Sequence, residues 1–305
     1  MYSIDGYGEM IADDARTAAY VRALRDAVKP GCVVLDIGTG TGFFAILACK
    51  LGARRVYAIE SSDVIDVAKQ IAADNRCAGA IEFIHRMSTG VSLPEPVDVI
   101  VSDLHGILPL FQGHLPSIID ARERFLKPGG TMIPARETLW VACVAAPDLH
   151  RYVTKPWTEN DYGLDMRAAR ELQANQWRRA RVEAGQMLTA PLCWAAIDYA
   201  TVDSANFSAR VALSATRAGT AHGFCLWFDA ELGPGVQLSN SPAMPELLYA
   251  SAFFPWPEAV ALEPGATVTL DLNAQLISGE YLWTWETQVA HADAGHAPAR
   301  FRQSD

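Results

Sequence analysis

The sequence predicts an α/β protein: a parallel sheet wrapped by helices, followed by an antiparallel β domain. Three observations predict it. Short apolar runs rich in β-branched residues alternate with helix-periodic segments up to about residue 130. A glycine-rich turn, Gly38-Thr39-Gly40-Thr41-Gly42, joins the first such run to a helix. Beyond Ile133-Pro134 the periodicity changes to alternating runs separated by Gly, Pro and Asn. The expected boundary is therefore near 134, with one unit over 1–134 and a second over 135–305.

The elements follow in order. Apolar residues at Ala15, Ala18, Ala19, Val21, Leu24 and Val28 give a helical stripe over 12–28, ended by Lys29-Pro30-Gly31. Residues 32–37, 56–59, 81–84 and 97–101 read as buried strands, and 43–51, 63–75 and 116–126 as helices. Ser61 or Ser62 is a candidate N-cap for the 63–75 helix. Lys127-Pro128-Gly129-Gly130 stops the last helix. Strands joined by helices of this length pair in parallel through right-handed crossovers. The second unit shows strand-like runs at 139–144, 197–202, 209–213, 224–228, 268–272 and 281–285. A polar, helix-leaning segment at 147–190 interrupts them.

Composition narrows the function. Half of the 305 residues are hydrophobic and a fifth are charged, a globular balance. No apolar run approaches the ~18 residues of a membrane helix, and no secretory signal opens the chain. The six cysteines form no CxxC pair, which predicts free thiols in a reducing, cytoplasmic setting. A net charge of −10, with no basic stripe, disfavours nucleic acid. Neither H-E-x-x-H nor G-x-S-x-G occurs, so no metal and no hydrolase elbow is expected.

The glycine turn carries the chemistry. It follows a strand and opens a helix, whose free N–H groups suit an anionic ligand. A dinucleotide fingerprint, G-x-G-x-x-G, counted from Gly38 would need a third glycine at 43, where Phe43 stands. Asp36, two residues ahead of Gly38, instead suits a Rossmann-like S-adenosylmethionine loop. Thr39 and Thr41 line that loop. Glu60 ends the second strand, where a carboxylate can accept two ribose hydroxyls, and Ser61 follows it.

At this point the sequence resembles the protein arginine methyltransferases over nearly its whole length. Glu9-Met10-Ile11 through Asp14-Ala15-Arg16-Thr17 is similar to the family's helix before the cofactor loop. Arg16 matches the arginine that pairs with the cofactor carboxylate. Gly52 to Glu60 looks like the second strand with its ribose-binding glutamate. Leu126 to Pro134 looks like the passage into a β-barrel, and Tyr162-Gly163-Leu164-Asp165-Met166 like the start of a helical dimerisation arm. The resemblance implies S-adenosylmethionine as cofactor, S-adenosylhomocysteine as product, and a homodimer formed through 147–190. Ser88 and Thr89 replace the acidic adenine contact, and Met87 and Ser88 are assigned to the cofactor by position. The helix that lids the cofactor looks cut short, since few residues precede Glu9.

The loop after the fourth strand departs from the family. Two glutamates there grip the substrate guanidinium; this chain has Asp103 and Gln112. The Thr-His-Trp loop falls near Leu247-Leu248-Tyr249, and none of its residues is kept. Removing one charge at contact distance forfeits about 4 kcal/mol at an effective dielectric near 20. A less basic N or O nucleophile, on a small molecule or peptide, is therefore expected as the acceptor. Asp103 would orient it, and His105 or His114 would accept its proton. An arginine methyltransferase with an altered pocket and a cofactor-binding scaffold without activity are the alternatives. Trp283 and Trp285 share one strand face and read as core packing, and His222 as structural.

Overall fold

The computed structural model describes residues 3–104, 106–159, 162–290 and 299–305. Two helices, α1 (Ile4–Ala12) and α2 (Asp14–Ala27), precede the parallel sheet. Asp13 joins them, ending α1 and capping α2 through its carboxylate, which accepts from Arg16 N at 3.1 Å. Then come β1 (Val33–Ile37), α3 (Phe43–Lys50), β2 (Arg55–Glu60), α4 (Ile65–Asp74), β3 (Ile81–His85), β4 (Val97–Ser102), α5 (His114–Phe125) and β5 (Leu126–Ile133). The sheet order is β3-β2-β1-β4-β5, and every pairing is parallel. The order reverses beside β1, so β1 and β4 flank the crevice where such sheets bind ligands.

After the Ile133–Pro134 peptide, which is cis, the chain becomes antiparallel. In order come β6 (Arg136–Val144), α6 (Pro147–Thr158), α7 (Arg167–Ala174), β7 (Arg178–Ala180), β8 (Leu192–Asp198), β9 (Phe207–Ser214) and β10 (Gly219–Gly233). The chain continues with β11 (Val236–Ser239), β12 (Ser251–Leu262), β13 (Thr267–Ile277), β14 (Glu280–Ala290) and β15 (Ala299–Ser304). One sheet runs β7-β12-β10-β6-β8, with β11 on β10; the other runs β15-β14-β13-β9. They meet where β8 abuts β9 and β12 abuts β15.

Strand alternation explains how the two units join. Val33, Leu35 and Ile37 face one way, into an apolar cluster shared with Leu115, Ile118 and Phe125 of α5. That cluster continues into the β domain through Leu139, Phe224, Phe254, Trp283 and Trp285. Val34 faces the other way, with Tyr20 and Leu24 of α2, Phe44 of α3, and Phe228 and Tyr249 of the β domain. Both faces of the parallel sheet thus share packed cores with the β domain. Trp283 and Trp285 are buried among Trp177, Trp194, Phe224 and Phe254, as core residues.

Several elements differ from expectation for physical reasons. Leu126–Ile133 is a strand, although it contains Pro128, Gly129 and Gly130. It lies at the sheet edge, where a missing N–H is tolerated. The strand expected at 197–202 is instead β8, ending at Asp198, whose carboxylate accepts from Ala200 N at 2.9 Å and starts a turn. Strand β12 contains Pro255 and Pro257. The pairing shifts register between Ala221 and Gly223, opposite Pro255. A side chain at Gly223 would collide with Phe254 O, so glycine is required at that bulge. Helix α1 exists despite two glycines, with Ser3 Oγ accepting from Gly6 N at 3.1 Å. Helix α4 begins at Ile65 after Val64, with neither Ser61 nor Ser62 capping it.

Candidate active site

The glycine turn sits at the carboxyl end of β1, under α1. Gly38 and Gly40 have φ of 71° and 55°, conformations that disfavour other residues. Close packing adds a second requirement. A Cβ at Gly38 would lie 2.1 Å from Leu104 Cδ2, and one at Gly40 would lie 2.6 Å from Tyr7 Cε1. The turn is therefore sandwiched between the loop after β4 and the α1 helix. Tyr7, Met10, Arg16, Gly38, Thr39, Gly40, Thr41, Phe43 and Asp103 are among the residues lining a narrow cleft.

Two buried acids hold the turn. Asp36 Oδ2 accepts from Thr39 Oγ1 at 2.6 Å. Burial pushes the Asp36 carboxyl up to about 7, against the opposing pull of the Thr39 bond. Glu60 Oε2 accepts from Gly40 N at 3.1 Å and its Oε1 from Ser62 N at 2.9 Å, so its carboxylate is fixed beside the turn.

Asp103, just past the end of β4, meets two side chains distant in sequence. Arg16 Nε donates to Asp103 Oδ2 at 2.6 Å, and Arg16 Nη2 forms a short charged contact with the same oxygen. The Tyr249 hydroxyl lies 2.8 and 2.7 Å from the two Asp103 oxygens and 2.9 Å from Arg16 Nε. Arg16 also donates to Met10 O at 2.9 Å and stands 5.4 Å over the Tyr20 ring. Burial alone would lower the Arg16 pKa, but the Asp103 charge overrides it and keeps the guanidinium firmly protonated. Burial, reinforced by Asp103, pushes the Tyr249 phenol well above its ordinary range. Tyr249 therefore stays a donor to the carboxylate.

Comparison with known proteins places this geometry. Residues 13–135 match the family model "Ribosomal protein L11 methyltransferase (PrmA)", and residues 135–278 match "Arginine methyltransferase oligomerization subdomain". A probable protein arginine N-methyltransferase 6 of Arabidopsis thaliana is 35% identical over 245 residues, covering 77% of this chain and 55% of that one. Protein arginine N-methyltransferase 6 of Xenopus tropicalis is 31% identical over 280 residues, covering 87% and 82%. The chain belongs to the protein arginine methyltransferase family. Structures of family members share the fold: Arabidopsis thaliana protein arginine methyltransferase 10 superposes with a TM-score of 0.84 at 24% identity, over 99% of this chain and 97% of that one. The Trypanosoma brucei PRMT1 enzyme–prozyme complex with AdoHcy gives 0.88 at 24% identity, over 97% of each chain.

Within this arginine methyltransferase framework, the expected residues separate. Arg16, Asp36, Gly38, Thr39, Gly40, Thr41, Glu60 and Asp103 gather at the turn and its cleft. Ser61 is exposed, and its carbonyl lies 3.2 Å from His85 Nε2. Met87 is exposed, while Ser88 is buried with its carbonyl accepting from Arg124 at 3.0 Å. Gln112 is not brought to Asp103: it is exposed, at φ 42°, and its amide donates to Glu280 of β14 at 3.3 Å. His114 is buried at the start of α5, with Nε2 3.0 Å from the Tyr199 hydroxyl. His105 lies outside the described residues. His222 is largely buried on β10, its ring 5.3 Å from that of His150.

Tyr7 and Tyr249 were not read from the sequence as site residues. For Tyr249 a signal existed: it stands where the family has Thr-His-Trp, and a phenol there is a hydrogen-bonding replacement. Tyr7 meets the site only through the fold.

Proposed function

We propose that this protein transfers a methyl group from S-adenosylmethionine to a guanidinium nitrogen of arginine in a protein or peptide. The observation that carries the reading is Asp103, a buried carboxylate at the end of β4, lining the cleft and held by Tyr249 and a guanidinium, that of Arg16. A carboxylate so placed already binds the functional group of the proposed acceptor. Family membership supports the reading, since the relatives named above are described as arginine N-methyltransferases. A small-molecule acceptor, favoured by the missing second loop acid, has no such support.

The residues present fit the cofactor. The glycine turn exposes backbone to it, Glu60 is fixed for ribose hydroxyls, and Arg16 would pair with a carboxylate. Bound there, the cofactor would supply an electrophilic methyl group. The protein's own part is positional: Asp103 holds the guanidinium in line, and α1 with Tyr7 covers the turn and excludes water.

The same reading makes segment 147–190 a homodimer contact. The oligomerisation match covers it, and Tyr152 of α6 and Leu172 of α7 are exposed apolar side chains on helices. The free cysteines support a reducing, cytoplasmic setting.

The test supplies methyl-labelled cofactor with an arginine peptide, the same peptide carrying lysine instead, and a panel of metabolites. Label on the arginine peptide alone is expected. Label confined to metabolites, or none on any acceptor, would overturn the proposal.

A further inference from the structure

Tyr249 reaches Asp103 from a turn whose backbone is held from several directions. Ala250 N donates to Leu247 O at 3.1 Å, and Ala250 has φ of 52°. A residue with a Cβ adopts that conformation only where its surroundings impose it. Asp13 Oδ2 accepts from Leu248 N at 2.8 Å, and Arg179 donates to Leu248 O at 2.5 Å.

Asn240, just past β11 and buried, supplies a further anchor. Its Nδ2 donates to Ala250 O at 2.5 Å and to Ile107 O, on the loop that Asp103 opens, at 3.1 Å. Its Oδ1 accepts from Phe228 N of β10 at 2.7 Å. Its backbone is fixed as well, with N donating to Phe228 O at 3.2 Å and O accepting from Ser251 Oγ at 3.2 Å. The Phe228 ring meets the Tyr249 ring edge to face at 5.6 Å.

These partners select the residue type. Phe228 N can only donate, and Ile107 O and Ala250 O can only accept. A primary amide answers all three in a single orientation. Aspartate would answer Phe228 N but neither carbonyl, serine carries a single proton, and glutamine would place the amide one carbon further out. A buried amide is costly unless it is bonded, so packing alone does not account for it.

The bonds close a ring through the site. Tyr249 meets the Asp103 carboxylate, and the next residue, Ala250, is tied by Asn240 to the Asp103 loop. The two loops are therefore joined twice, through side chains at the carboxylate and through backbone carbonyls at Asn240. Loops joined at one point can pivot about it; a second joint removes that freedom. We propose that Asn240 is a positioning residue for methyl transfer, setting the spacing of the Asp103 loop and the Tyr249 turn. This rests on the functional reading above. Asn240 is not among the residues lining the cleft, and it acts through Tyr249 and Asp103.

Asn240→Asp is the deciding variant, because it keeps the acceptor for Phe228 N and, while ionised, removes both donors. Hydrogen exchange read by mass spectrometry, without substrate, is expected to speed up about tenfold in both 106–111 and 247–250, with β10 unchanged. Steady-state methylation of an arginine peptide is expected to show kcat lowered about 10²-fold, the scale of a small misplacement. Peptide KM and S-adenosylhomocysteine affinity should stay within about threefold. The kcat deficit should widen as pH rises, since the protonated carboxyl returns one donor and burial favours that form. Tyr249→Phe removes the contact through which Asn240 acts, so adding Asn240→Asp to it should lower kcat by less than about threefold more. Asn240→Ser keeps one donor and stands in if Asn240→Asp does not fold. Unchanged exchange in the two loops, unchanged kcat in the folded variant, or a full multiplicative loss in the double variant would overturn the proposal. Wild-type inactivity on every arginine peptide would instead refute the acceptor assignment, while the exchange measurement still decides whether Asn240 joins the loops.

Discussion

Replacing Asp103 by Asn keeps the shape of the side chain and removes one member of a buried ion pair. The side chains of Arg16 and Asp103 are 5% and 3% exposed. Such a change leaves a buried cation without its counter-charge, which costs about 3–5 kcal/mol. Arg16 keeps Met10 O and the Tyr249 oxygen as acceptors, which argues for the lower end. At roughly 2–4 °C per kcal/mol for a chain of this size, a loss of about 3 kcal/mol lowers Tm by roughly 6–12 °C. Differential scanning fluorimetry of Asp103→Asn against wild type measures it directly. A ligand carboxylate should compensate the stranded guanidinium. S-adenosylhomocysteine is therefore expected to raise Tm more in the variant than in wild type. Arg16→Met combined with Asp103→Asn should be less destabilised than Asp103→Asn alone, because the two effects are coupled. A Tm shift under about 2 °C in Asp103→Asn, with no difference in ligand response, would refute the ion-pair argument. Methyl transfer by Asp103→Asn should be lost in either case, since the guanidinium would have no charge to hold it.

Other predictions follow from separate features. Asp36 has its carboxyl raised from 3.8 to about 7, so the fold favours its protonated form. Its unfavourable contribution is absent below pH 4, grows as pH rises, and is complete above 7. Asp36→Asn should therefore raise Tm at pH 8 and leave it unchanged at pH 4; equal shifts at both would contradict this. Gly40→Ala should abolish binding of S-adenosylhomocysteine by calorimetry, because the new Cβ meets Tyr7 and φ is 55°. Adding Tyr7→Ala should restore part of the binding but not the backbone cost of about 1–2 kcal/mol. Leu172→Glu, on the exposed face of α7, should convert a dimer to a monomer in light scattering; a monomeric wild type would refute the assignment of the arm.

The parallel sheet was legible because its evidence is local. The apolar, β-branched run Val33 to Ile37, and an acid two residues before a glycine turn, are fixed by neighbours in sequence. Helix α1 was not legible, since Asp5, Gly6 and Gly8 give poor helix propensity and the helix is held by Ser3 and by packing on Gly40. Strand β12 was hidden by Pro255 and Pro257, which are tolerated through a bulge against Gly223 that only pairing reveals.

The candidate site shows the same division with a chemical consequence. Reading the loop after β4 alone, Asp103 and Gln112 indicate a weakened acid pair and a less basic acceptor. That inference counts charge along one segment, whereas an electric field is summed over space. In the fold, Asp103 gains Tyr249 as a donor that fixes both its oxygens. Arg16 shows that this carboxylate takes up a guanidinium with the Tyr249 hydroxyl beside it. The loss of the loop glutamate at position 112 therefore does not by itself exclude arginine, and the labelled arginine and lysine peptides separate the two cases.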